Sequence, residues 1–429
     1  MNSLRGAAAA IVVPLLVLGG GAARAEVLSL SEVQESAANA DAVAVATARA
    51  EESNADLDSA RAVHHPVVNL NTDASVSPGG QLVDVTGVDG QHYLVQGSRT
   101  ISQPGAFLPT VRFGAIVSGQ LNVYDFGRSA ARVAAAEHRL RASRLAADAI
   151  RAENVRLATE AYLSWVVATA RHAVVERHAV AVRAQGAALR DAIEEGARPP
   201  ADALAADQAE TAVEAEGLDA QNALERAAEA VRQWAPERWR PTSTPDLRLL
   251  DQPPAPHRDR AEYDAAAMAE QSDASHALAE SLRREHVPIL SASGDLGARG
   301  QNETLFPLYR LGVALTMPLW DGGVAAAQRR AAQAQAEELQ AQARSLTTTS
   351  RDAARLARQE AARLTRRVEL SSRSRSLAEQ DFVQMRERFR LGAIDVRPVL
   401  DALDRLSRAE TDEVSAKGEW ARAMFRAGP

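Results

Sequence analysis

Residues 124–127 read Tyr-Asp-Phe-Gly, residues 320–323 read Trp-Asp-Gly-Gly, and the two stretches stand 196 residues apart. The same interval separates Glu195-Gly196-Ala197 from Leu391-Gly392-Ala393, and Ala206 from Ala402, each alanine ten residues after its glycine. One offset held over about 80 residues without a gap marks two copies of a unit whose length is mechanically fixed. From Gly127 to Gly196 and from Gly323 to Gly392 the chain runs 69 residues without proline, with Gly186 as the one interior glycine. Ala, Arg, Glu, Gln and Leu dominate both stretches, and these are strong helix formers. At about 1.5 Å per residue each helix would reach about 100 Å, several times the diameter of a small domain. Such helices cannot bury themselves in a globule.

Each long helix ends at a glycine, where the left-handed cap costs least, and proline follows: Pro199 and Pro200 in the first copy, Pro398 in the second. Arg388 and Arg390 sit in the last turn, where cations favour a helix C-terminus. The next apolar-periodic run begins almost at once, so each glycine marks the tip of an antiparallel helical hairpin. The returning arms are expected to reach about Gln233 and about Arg426. Leu339, Ala343, Leu346, Ser350, Ala353 and Ala357 alternate steps of four and three as a coiled-coil edge does, before Glu360 interrupts and Leu364 resumes. The arginines at 363, 366, 367, 373 and 375 read as a solvated face.

Outside the helices the period changes to two. Val68, Leu70, Thr72, Ala74 and Val76 alternate with Asn69, Asn71, Asp73, Ser75 and Ser77, and Val111, Phe113, Ala115, Val117, Leu121 and Val123 alternate with Arg112, Ser118, Gln120 and Asn122. The second half repeats the pattern with Leu290, Ala292 and Leu296, then with Tyr309, Leu311, Val313, Leu315 and Met317. Four strands in two hairpins are predicted, about 67–124 and 289–320. Their length and alternation match either an outer-membrane barrel or a half-buried soluble sheet. Four strands are half of what the smallest barrel needs, so a membrane reading requires several subunits, and three copies would supply twelve strands. The first hairpin carries a Gly- and Pro-punctuated tip, Pro78 to Pro109, while the second turns within Arg299 to Pro307.

Residues 1–25 read as a signal peptide: Arg5, an apolar run from Ala7 to Leu18, and the small-x-small site Ala23-Arg24-Ala25. The first repeat is then expected over 26–233, a Pro-rich linker over 234–258 and the second repeat over 259–429. No later window approaches 18 uninterrupted apolar residues, so any bilayer contact falls to the strands. A net charge of −7, with Lys417 the only lysine, speaks against a nucleic-acid partner. The absence of cysteine removes disulfides, thiolate metal sites and Cys nucleophiles. There is no Gly-x-Ser-x-Gly, His-Glu-x-x-His or Walker loop, so no enzyme activity and no cofactor are expected. The pairs His64-His65 and His172/His178 read as surface histidines, since no third metal ligand is placed.

These residues resemble the TolC-type outer membrane efflux and secretion proteins. The resemblance rests on the opening Leu28-Ser29-Leu30 before an Ala-rich helix ending at Pro66, the Tyr-Asp-x-Gly and Trp-Asp-Gly-Gly strand ends, and the run from Arg388 through Gly392 to Leu400-Asp401-Ala402. It implies a mainly α chain with a small membrane β-part: a homotrimer in outer membrane lipid whose 12-stranded barrel continues into a periplasmic α-barrel. It further implies a passive exit duct of a tripartite efflux pump or type I secretion system, whose tips meet a periplasmic adaptor served by an inner-membrane transporter of RND or ABC type. On that reading Gly196, Ala197, Gly392, Ala393 and Ile394 dock the adaptor, and Asp401 and Asp202 line the periplasmic constriction. Pro398 stands where the family often has an acidic residue and Ile394 where it sometimes has a basic one, and both depart from that pattern. A soluble periplasmic coiled-coil adaptor or spacer would share the helices but would have no use for the strands.

Overall fold

The computed structural model describes residues 27–78, 82–86, 92–96, 99–100, 109–237, 239–240, 242–255, 258–301 and 304–427. The expected signal peptide lies outside them. In chain order the elements are β1 (Val27–Leu28), α1 (Leu30–Ala38), α2 (Asp41–Arg61), β2 (Val67–Pro78), β3 (Leu82–Thr86), β4 (His92–Gln96), β5 (Arg99–Thr100), β6 (Pro109–Tyr124), α3 (Arg128–Glu194) and α4 (Ala201–Arg232). There follow β7 (Thr244–Pro245), α5 (Arg260–Arg283), β8 (Ile289–Gln301), β9 (Thr304–Thr316), α6 (Val324–Arg390) and α7 (Val396–Arg426). Both long helices have 67 residues, and their ends keep the 196-residue offset.

The chain divides into two compact units, each drawn from both halves of the sequence. One takes in Ala38–Arg156, Ala255–Glu360 and Phe425–Pro429. It holds one four-stranded antiparallel sheet in the order β2-β6-β8-β9, so the two expected hairpins are joined along β6 and β8. Register carries one apolar row straight across all four strands, Leu70 to Val117 to Leu296 to Tyr309, and these side chains are 44–82% exposed. The row behind it, Asn69 to Ser118 to Asp295 to Arg310, is polar. A sheet with bare apolar groups on one face and charges on the other is inside out for a soluble core. The second hairpin turn is tighter than expected, with β8 reaching Gln301 and β9 starting at Thr304. The first hairpin tip is not free of strands: β3, β4 and β5 form a small antiparallel sheet of their own.

Away from the sheet, α2 packs on α3 through Leu57, Ala136 and Leu140. The helix expected from Leu30 to Pro66 is broken between Ala38 and Asp41, where Ala40 takes an extended conformation. On α6 the buried or half-buried seam runs Ala332, Ala336, Leu339, Ala343, Leu346, Ser350, then Ala354, Ala357, Ala361 and Leu364. The step from Ser350 to Ala354 is a second consecutive four, a stutter that shifts the seam one residue past the expected Ala353 and brings Ala361 rather than Glu360 inward.

The other unit takes in Leu157–Pro254, Ala361–Met424 and the chain up to Ala37. Its main core gathers Leu28, Val33, Tyr162, Trp165, Val166, Val231 and Leu250. Here β1 lies parallel to β7. Tyr162 fastens both, its hydroxyl donating to the Leu28 carbonyl and accepting from the Asp246 N–H at 2.8 Å. Lys417 reaches Asp251 at 2.8 Å and Glu413 at 3.3 Å, so the Pro-rich segment is tied to α7 as well. Gly186 sits inside α3 without breaking it, and α4 passes beside it, so that a Cβ there would meet the end of the flexible Glu210 side chain.

Candidate functional site

The two helical tips are built alike, hydrogen bond for hydrogen bond. Gly196 N–H donates to Ile193 O at 3.0 Å and Ala197 N–H to Ala192 O at 2.9 Å; Gly392 N–H donates to Phe389 O at 2.9 Å and Ala393 N–H to Arg388 O at 2.9 Å. This is the Schellman pattern, which closes the last orphan carbonyls of a helix and needs a left-handed residue at its turn. Gly196 and Gly392 supply it with φ of 72° and 71°. A Cβ at either glycine would meet nothing within 4 Å. Ala197 and Ala393 are exposed and Ile394 is half-buried, and the turns also expose Glu195 at the first tip and Leu391 at the second.

Below the tips the hairpins pack on one another through Leu189, Ala206, Val396 and Leu400. Arg198 clasps them. Its guanidinium donates to the Phe389 carbonyl at 3.3 Å, lies 4.6 Å from the Phe389 ring centre and stands 3.8 Å from Asp395, with only 16% of the side chain exposed. Sequence reasoning passed over Arg198, although the 196-residue offset that paired the tips also sets it at the place Ile394 takes in the second copy.

Asp401 is exposed near the start of α7 and lines a cleft of about 330 Å³ with Asp404, Arg397, Arg408, Gln208 and Glu216. Asp202, in the first turn of α4, does not line that cleft; it is half-buried, and its Oδ2 is enclosed without a hydrogen-bond partner. His178, expected at the surface, is 7% exposed and opens onto the same cleft, its Nδ1 3.7 Å from Glu216. Burial pushes its pKa down, against the opposing pull of Glu216, Asp404 and Glu410.

At the strand-to-helix junctions the repeated Asp-x-Gly does capping work. Asp125 accepts from the Gly127 N–H at 3.2 Å and the Ser129 N–H at 2.7 Å, and Asp321 accepts from Gly323 at 2.9 Å and Ala325 at 2.7 Å. His64 is exposed, as expected of a surface histidine, and is hydrogen-bonded here, with Nε2 2.6 Å from Ser129 Oγ and Nδ1 3.2 Å from the Asn122 carbonyl. Among the described residues, His138, Glu270 and Asp273 bring three possible metal-ligand atoms within 4.8 Å. Arg141 already donates to Glu270 at 2.9 Å and supplies the positive charge there. Among the described residues no helix is long and apolar enough to cross a membrane.

Residues 33–235 match the family model described as outer membrane efflux protein. Among solved structures, the Campylobacter jejuni CmeC outer membrane channel is 14% identical over 93% of this chain and 87% of its own, with a TM-score of 0.70. The outer membrane protein VceC of Vibrio cholerae is 18% identical over 92% of this chain and 94% of its own, with a TM-score of 0.70. The open state of the Neisseria gonorrhoeae MtrE outer membrane channel is 16% identical over 93% and 89%, again at 0.70. No relative matches among curated proteins. With the efflux-protein family match across its first half and the channel fold along nearly its whole length, the chain bears out its resemblance to the TolC-type outer membrane efflux proteins.

Proposed function

We propose that the protein is a passive exit duct of the outer membrane, through which a tripartite efflux pump or a type I secretion system discharges its cargo. The observation that carries this is the four-stranded sheet, apolar and exposed on one face, polar on the other, with β2 and β9 left as open edges. Open edges are not tolerated in lipid, and three copies joined edge to edge give twelve strands and no edge. The polar faces then line the lumen, and the long helices continue the duct into the periplasm. Gly196, Ala197, Gly392, Ala393 and Ile394 form the surface for a periplasmic adaptor, Asp401 and Asp202 belong to the closed end, and an inner-membrane transporter of RND or ABC type drives transport. A soluble coiled-coil spacer is disfavoured because Leu311 at 92% and Val313 at 73% exposure would face water for no return.

The test is recovery of the full chain in outer-membrane fractions, heat-modifiable migration in a gel, and native mass spectrometry in detergent. A trimer is the expected species. Lys417 is the only lysine, so amine-reactive cross-linkers would under-report any assembly. A monomer or an even-numbered oligomer, or a protein found only in the soluble periplasmic fraction, overturns the reading.

A further inference from the structure

The four strands of the main sheet hold five charged residues, Asp73, Arg112, Asp295, Arg299 and Arg310, and register puts all five on the polar face. Asp295 stands directly opposite Arg310. Asp73 and Arg299 come together over Gly114, the residue between them in the row: a Cβ at Gly114 would meet Asp73 Oδ1 at 2.9 Å and Arg299 Cγ at 3.4 Å. Arg112 is placed differently. Its register partners are Ser75 on one side and Gln301 on the other, and among the described strand residues its nearest carboxylate in register is the diagonal Asp73, which lies beside Arg299 over Gly114. Among the described residues of the four strands, three guanidinium groups against two carboxylates leave one positive charge. That charge sits with Arg112, at the end of the sheet where β2 leads through residues 79–108 into β6.

We infer that Arg112 is a selectivity-determining residue that makes the strand-lined section of the duct favour anionic solutes. The inference rests on the channel reading above. Side chains on the lumenal face of a membrane barrel tune its selectivity, and rings of fixed charge do so by concentrating counter-ions. Three copies of Arg112 around one axis form such a ring. The low-dielectric wall behind them focuses the field into the lumen, and at 0.1 M salt that field reaches about 10 Å. The acidic groups Asp202 and Asp401 pull the other way at the helical tips, so the quantity that decides is the change on substitution rather than the absolute preference.

The experiment is the reversal potential of the full-length protein in a planar bilayer under a tenfold KCl gradient, read as the chloride-to-potassium permeability ratio. Arg112→Gln is expected to lower that ratio by about twofold, Arg112→Glu to lower it further, and Arg112→Lys to restore it. Asp73→Asn is expected to raise it. If Arg112→Glu fails to assemble, the comparison of Arg112→Gln with Arg112→Lys decides. Channels that conduct with the same reversal potential in wild type and Arg112→Gln overturn the inference and leave the duct standing. No conductance from assembled wild-type protein overturns the channel reading, and the inference with it.

Discussion

Asp125 shows how much one side chain does at a strand-to-helix junction. It is nearly buried, which raises the cost of its charge, yet hydrogen bonds from Ser129 and Gly127 and the nearby His64 outweigh burial and hold its pKa below the ordinary 3.8. A carboxyl depressed in the folded state stabilises above its unfolded pKa, and the contribution is lost as pH falls through the folded value. Asp125→Ala is therefore expected to cost about 1 kcal/mol near neutrality, the usual worth of such a cap. Thermal unfolding of the assembled protein checks it: the gap between wild type and variant should be level at pH 5–7 and shrink below about pH 4. Next in the chain, Phe126 is held at φ 55°, where the second copy has Gly322 at 72°. Phe126→Gly would relieve about 1 kcal/mol of strain but lose an edge-to-face contact with Tyr124 at 4.7 Å, itself worth about 0.5–1.5 kcal/mol. The two effects offset, and an unchanged melting temperature is expected. Tyr162 is another matter, because burial raises its pKa to about 12 and its hydroxyl serves two backbone groups. Its contribution is fully present below its unfolded pKa near 10 and is lost only as pH rises through about 12. Tyr162→Phe strands the Leu28 carbonyl and the Asp246 N–H, at about 1–3 kcal/mol, and limited proteolysis near Leu28 should speed up at neutral pH.

At the scale of elements, the glycine tips separate stability from docking. Leu at position 196 or 392 must take a left-handed backbone, at about 1–2 kcal/mol, but nothing within 4 Å stands in its way. The double variant Gly196→Leu, Gly392→Leu is thus expected to reach the membrane as a trimer at near-normal levels and to lose export, because its tips now carry bulk where a partner approaches. Full export in a cell-based efflux or secretion assay would refute the docking role. These tips were legible in the sequence because a helix end has a local code, glycine then proline, and because that code occurred twice at one offset. The four strands were legible for a similar reason, their alternation being written in every residue from Val68 to Val76. The pairing of β6 with β8, the break at Ala40 and the stutter at Ser350 were not, since each depends on which neighbour a segment meets. Arg198 and Tyr162 escaped notice on the same ground: their partners are a backbone carbonyl about 190 residues away and a carbonyl 134 residues away. No spacing in a single sequence encodes such contacts. His178 was misread because a lone histidine on a helix carries no sign of the carboxylate-lined cleft beside it.

At the scale of the whole assembly, the duct reading proposed above requires something to restrict flow when no partner is engaged. Asp401 lies nine residues past Gly392 and remains exposed, with Arg397 and Arg408 in its cleft. In a threefold assembly each exposed carboxylate near the axis recurs three times at one height, so a single residue becomes a ring. Three such charges facing one aqueous passage attract cations strongly when the passage is narrow and barely at all when it is wide. A solvated carboxylate favoured by the start of α7 would share the same position but would bind nothing. Single-channel recording separates the two. If the ring exists, a divalent or polyamine cation added to the periplasmic side should block the current in a dose-dependent way, and Asp401→Ala should abolish the block while leaving trimer yield unchanged. Asp202→Ala is expected to weaken the block only in part, because Asp202 lies on the other hairpin and does not line the cleft of Asp401. Raising the salt from about 0.1 M to 1 M should relieve the block in wild type, the Debye length falling from about 10 Å to 3 Å. Block that persists unchanged in Asp401→Ala would leave this carboxylate as an ordinary surface residue and move the constriction elsewhere on the returning helices.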